Sequence, residues 1–171
     1  MAFFLDVGLT GYGLYKQDWN KKYAAYSQEM GAASDAVIAA RKDVDNRLNS
    51  SPKVNTWVDF AVWQEVMKSL KNDLDVYESR IDRIQALIQR GISEDLTASQ
   101  AERGQFVILR QVYDLRKQQA EKLRREADLI VSCAPTQSSY AGLRNDLQLL
   151  DSDINGLESQ ASQLLVEIKA K

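Results

Sequence analysis

The sequence predicts an all-α protein of four long antiparallel amphipathic helices, an up-down-up-down bundle or two coiled-coil hairpins, preceded by an irregular apolar N-terminal arm. Three observations predict it. Apolar residues recur every three and four positions along four segments, which aligns them on one face of a helix. Three short polar or glycine-bearing breaks separate those segments. The segments are similar in length, and short links between long helices make neighbours antiparallel.

The first helix is read over residues 14–48, with the stripe Trp19, Tyr23, Tyr26, Met30, Ala33, Val37, Ala40, Val44 and Leu48. It stops at Asn49-Ser50-Ser51-Pro52, because proline lacks a backbone donor and cannot continue a helix. The second, residues 56–90, carries Phe60, Trp63, Met67, Leu70, Leu74, Tyr77, Ile81, Ile84 and Ile88. Thr56 and Asp59 stand at capping-box spacing at its start. Its end is read at Gly91, a residue suited to the left-handed position after a helix, with Ile92 placed to touch Leu87 in a Schellman cap.

The third helix, residues 97–132, opens with Thr97 and Gln100 at the same spacing and has the seam Ala101, Gln105, Ile108, Val112, Leu115, Gln119, Leu123, Ala127 and Ile130. Gln105 and Gln119 interrupt that seam. A buried amide without partners costs about 1–3 kcal/mol. These two therefore lie near the bundle surface or, if buried, fix the register of the helices. Cys133-Ala134-Pro135 ends the third helix, and the fourth, residues 138–170, repeats Tyr140, Leu143, Leu147, Leu150, Ile154, Leu157, Ala161, Leu164 and Ile168. Each helix would be about 50 Å long at a rise of about 1.5 Å per residue. The chain thus divides into an arm, residues 1–13, and a single four-helix domain, residues 14–171.

Charge favours one pair of neighbours. From Arg110 to Glu126 there are six basic and three acidic residues, and from Tyr140 to Lys169 two basic and five acidic. Antiparallel packing of the third helix on the fourth would set these opposite excesses side by side.

Much chemistry is excluded by composition. The chain contains no histidine. That removes Ser-His-Asp and Cys-His catalysis, the Glu-x-x-His ligands of di-iron bundles, the usual haem ligand and most zinc sites. A lone cysteine, Cys133, forms neither an internal disulfide nor a CxxC pair, and no base stands by to activate it. No phosphate-cradling glycine loop is present. Neither catalysis, metal nor cofactor is expected. The formal net charge of -2 argues against a nucleic-acid partner held mainly by charge. There is no apolar run long enough to span a bilayer, and Met1–Gly13 lacks the basic start of a signal peptide. Such cysteine usage favours a reducing compartment or a particle interior over secretion.

Three features remain that bear on function. Phe3, Phe4, Tyr12, Tyr15, Trp19, Tyr23 and Tyr26 are half of all the aromatic residues, and Gly8, Gly11 and Gly13 interleave with them. The arm folds over its own bundle end, docks into a neighbouring subunit through Phe3, Phe4, Leu5, Tyr12, Tyr15 and Trp19, or inserts residues 1–13 into a membrane. Aromatic anchors of this kind are enriched at protein interfaces. A basic run, Arg116, Lys117, Lys122, Arg124 and Arg125, follows a helix face, although Glu121 and Glu126 dilute it. Finally, Val62, Val66, Phe106, Leu109, Leu149 and Leu165 widen the apolar stripes, as in helices that meet more than one neighbour.

These features lead to the expectation of a non-enzymatic structural or scaffolding subunit of a larger assembly, such as a virion-internal or secretion-type particle. Its partners would be copies of itself and other subunits. The alternatives are a membrane-active helical protein inserting its arm, and a nucleic-acid-associated protein using the basic face of the third helix.

Overall fold

The computed structural model describes residues 3–50, 60–134 and 136–170, and the side chains among them except those of residues 3–14, 137, 140, 169 and 170. Four helices follow in order: α1 (Phe3–Asn49), α2 (Phe60–Ser93), α3 (Gln100–Ser132) and α4 (Gln137–Ala170). The described residues form a four-helix bundle in which each helix packs on the next in sequence.

Ion pairs between helices record the antiparallel register. Between α1 and α2, Arg47 meets Asp73 at 2.8 Å and Glu29 meets Arg90 at 2.7 Å, so partners descend on one helix as they ascend on the other. The same holds from Lys71–Asp128 to Lys117–Asp82 across α2 and α3, and from Lys122–Asp153 to Arg116–Glu158 across α3 and α4. Helices α2 and α3 pack directly on each other, so the four described helices form one bundle and not two separate hairpins.

Three helix ends differ clearly from the sequence reading. Backbone helix begins at Phe3, so the stretch read as an irregular arm is continuous with α1. Glycine costs only about 1 kcal/mol against alanine in a helix and does not forbid it. Extending a helix already nucleated is far easier than starting one. For the same reason Gly91 does not end α2. The helix runs on to Ser93 and closes with a Schellman arrangement in which the Leu96 amide donates to the Gly91 carbonyl at 2.9 Å. The left-handed residue is Asp95, with φ 53°, a conformation that aspartate tolerates better than most side chains. Leu96 then folds back into the core, 5 % exposed.

Helix α3 starts later than expected. Its cap is Ser99, whose hydroxyl accepts from the Glu102 amide at 3.1 Å, while the Glu102 carboxylate accepts from the Ala98 amide. This is a capping box two residues beyond the Thr97–Gln100 pair; glutamate returns a charge-assisted bond near the helix start, where negative charge is favoured. Thr136 begins α4, accepting from the Ser139 amide at 3.3 Å. Thr56 and Asp59 lie outside the described residues.

The core is organised around α2. Phe60, Leu74, Ile81 and Ile88 are wholly buried, with Met67, Leu70, Tyr77 and Ile84 nearly so. Facing them, α1 and α3 present small residues: Ala33 and Ala40 on one side, Ala120 and Ala127 on the other. Large side chains of α2 thus share one core with the alanines of its neighbours. Helix α4 buries less, with Leu143, Leu150 and Ala161 as its buried residues among those described.

Candidate functional site

The aromatic run of α1 divides at the turn between α2 and α3. Tyr26 is 2 % exposed and donates its hydroxyl to the Leu87 carbonyl at 3.0 Å, beneath the Arg90 guanidinium and beside the Phe106 ring. Burial pushes this hydroxyl up to about 12, so it remains a donor. A turn earlier, Tyr23 donates to the Glu102 carboxylate at 3.1 Å and stacks on Trp19 with ring centroids 5.0 Å apart. Trp19 in turn donates its indole N–H to the Asp95 carbonyl at 3.1 Å. From Trp19 onward, the aromatics serve the fold of their own chain.

Beyond that point the situation changes. Tyr15, Lys16 and Trp19 border Asp95 and Thr97 of the turn, which places the end of the α2–α3 hairpin at this level of α1. Tyr15 is 70 % exposed. Residues Phe3–Leu14 carry α1 on past the turn by about 18 Å at about 1.5 Å per residue. Of the six residues expected to bind a partner, Trp19 docks on its own bundle and Tyr15 is exposed. Phe3, Phe4, Leu5 and Tyr12 lie on the projecting helix; their side chains are outside those described.

The basic face of α3 is largely consumed. Lys117 pairs with Asp82 at 2.7 Å and Arg124 with Asp75 at 2.7 Å, both on α2. Lys122 pairs with Asp153 at 2.6 Å and Arg116 with Glu158, both on α4. Arg125 is exposed. The charge match between α3 and α4 is thus made in named pairs, and four of the five cations are already neutralised within the fold.

At the centre of the bundle these charges form a network around Gln119. This side chain is 2 % exposed, so it is buried and does not lie near the bundle surface. Its Oε1 accepts from Arg41 at 2.8 Å and Arg116 at 3.1 Å, and its Nε2 donates to Glu158 at 3.1 Å. Arg116 also donates to both Glu158 oxygens, and Arg41 lies 6.0 Å from the centroid of the buried Tyr77 ring. One amide therefore joins α1, α3 and α4. The Arg116 hydrogen bonds, aided by Gln119, hold the Glu158 carboxyl down at about 2. By contrast, burial pushes Glu126 up to about 7, with the Asp151 carboxylate adding to it.

Those two carboxyls set opposite limbs of a pH profile. Glu126 binds its proton more tightly folded than unfolded, so its stabilisation is complete below about 4.5 and is lost as pH rises through about 7. Glu158 binds its proton less tightly folded, so its stabilisation is present above about 4.5 and lost as pH falls towards about 2. Stability in urea should therefore be greater at pH 5.5 than at pH 8 or pH 3. Glu126→Gln should flatten the alkaline decline alone; an unchanged decline from pH 5.5 to 8 in that variant would refute the assignment.

Helices α1 and α4 do not pack along each other. The gap is a groove of about 520 Å³ floored by Leu109, Val112 and Tyr113 of α3 and walled by Val37 and Ile38 of α1 and Leu165 of α4. Arg41, Lys42, Asp45 and Arg116 supply its polar rim. Ile38 is 64 % exposed. Leu109 and Leu165 are two of the surplus apolar residues noted in the sequence; the groove they share was not foreseeable without the helix order around it.

Sequence reading also missed Gln64. Its amide donates to the carbonyls of Ile130, Val131 and Cys133 at 3.0, 3.2 and 2.8 Å, capping the end of α3 from α2. Cys133 is half-buried. Among the described residues there is no cluster of carboxylate or thiol side chains that could hold a metal, and no helix long and apolar enough to cross a membrane. No protein-family model, curated protein or solved structure matches the chain.

Proposed function

We propose that this chain is a non-enzymatic structural subunit of an assembly of its own copies, joined through the projecting start of α1. The observation that supports the reading is the continuation of α1 past the α2–α3 turn. Phe3–Leu14 has the composition of an interface, with Phe3, Phe4, Leu5, Val7, Leu9, Tyr12 and Leu14 around a single charge, Asp6. A helix so apolar is stable in water only when another surface covers it. The bundle pairs four of the five cations of the basic run of α3 internally, which weighs against the nucleic-acid alternative.

Light scattering on the full chain and on a chain lacking residues 1–13 tests this. A defined oligomer that becomes a monomer on removal of those residues is the expected result. A compact monomer in both cases would remove the assembly reading and leave the arm to a membrane or a different protein.

A further inference from the structure

We infer that the projecting helix of one copy, Phe3–Leu14, seats in the groove between α1 and α4 of a second copy. The inference rests on the assembly reading above and names both sides of its contact. The groove leaves apolar surface open between two helices, and Ile38 on its wall is 64 % exposed. Its length fits. The α1 wall runs from Ser34 to Asp45, about 18 Å of helix at about 1.5 Å per residue, the same length as Phe3–Leu14.

Charge fits as well. The rim carries Arg41, Lys42 and Arg116 against Asp45, while the projecting segment has Asp6 as its sole charge. Arg41 and Arg116 are held by Asp45 and Glu158. Lys42 has no ion-pair partner among the described residues and is free to meet an incoming carboxylate. The occupant cannot be the same copy's helix. Because α1 is continuous from Phe3 to Asn49, its start points away from the wall that begins at Ser34. Arm into groove is therefore a head-to-tail contact, which builds a ring where the rotation closes and a filament where it does not.

Two full-chain variants test this. Ile38→Glu with Lys42→Glu spoils the groove and keeps the arm. Phe4→Glu with Tyr12→Glu spoils the arm and keeps the groove. Each alone should be monomeric with the helicity of the four-helix bundle retained by circular dichroism, and the two mixed should form a one-to-one dimer by sedimentation. Lys42→Glu alone should weaken association by about tenfold, and adding Asp6→Lys should restore it. A wild-type oligomer that ignores the groove variant, or a mixture that stays monomeric, would overturn the groove while leaving arm-mediated assembly intact. A monomeric wild-type chain would overturn both.

Discussion

Gly91→Ala should destabilise the protein by about 1–3 kcal/mol, the range of overpacking in a filled core. Helix propensity alone argues the other way, since alanine is favoured over glycine by about 1 kcal/mol in a helix. Contact geometry decides. A Cβ at Gly91 would stand 2.2 Å from Oη and 2.7 Å from Cζ of Tyr26, and 2.9 Å from Cε2 of Phe106. Tyr26 has nowhere inexpensive to go: its hydroxyl is committed to the Leu87 carbonyl and its ring is buried against Phe106 under Arg90. Moving it forfeits a buried hydrogen bond, worth about 1 kcal/mol, and its packing. Urea unfolding should show a lower midpoint at unchanged slope for Gly91→Ala, and Gly91→Val should be worse. Tyr26→Leu in the same background should relieve most of the added cost. A Gly91→Ala protein more stable than wild type would mean that Tyr26 yields freely.

Glu158→Ala should cost about 1–3 kcal/mol, more than an ordinary surface ion pair, whose loss costs about 0–1 kcal/mol. The carboxylate is partly exposed, which tempers the effect, but Arg116 behind it is only 17 % exposed and would lose its partner. Gln119 would lose its acceptor too. Gln119→Leu should cost less than Glu158→Ala, because the guanidiniums keep the carboxylate. The double variant should cost less than the two singles together, as expected for residues in one network. Glu158→Ala should also abolish the acid limb of the stability profile. A loss below about 0.5 kcal/mol, additive with Gln119→Leu, would put this network among surface charges.

The helices themselves were plain in the sequence because burial is periodic. Every α2 residue of the expected stripe is buried or half-buried, from Phe60 to Ile88. Ends were harder to read. Gly91 looks like a terminator by residue type, yet its absent side chain makes room for Tyr26, sixty-odd positions away in the chain. Asp95 takes the left-handed place that glycine usually holds. At the α3 start, two overlapping patterns compete, and Glu102 prevails over Gln100 because it serves both the Ala98 amide and Tyr23. Gln119 illustrates a general limit. A polar residue in an apolar stripe says that partners are needed, but Arg41 and Glu158 come from helices whose placement the stripe does not encode. The open flank between α1 and α4 was likewise beyond reach, since the same seams would suit a closed ring of four helices.

Because each helix packs on the one made just before it, the bundle suits construction in the order of synthesis. Local topology of this kind folds fast. The first hairpin leaves the part of α2 that packs on α3 bare until α3 emerges. The groove is completed only by Leu165, in the last of the four helices, whereas Phe3–Leu14 leaves the ribosome well before it. On the assembly proposed above, a growing chain thus carries its insert long before it can receive one. Within a polysome, the leading copies, already finished, are the natural acceptors for those that follow.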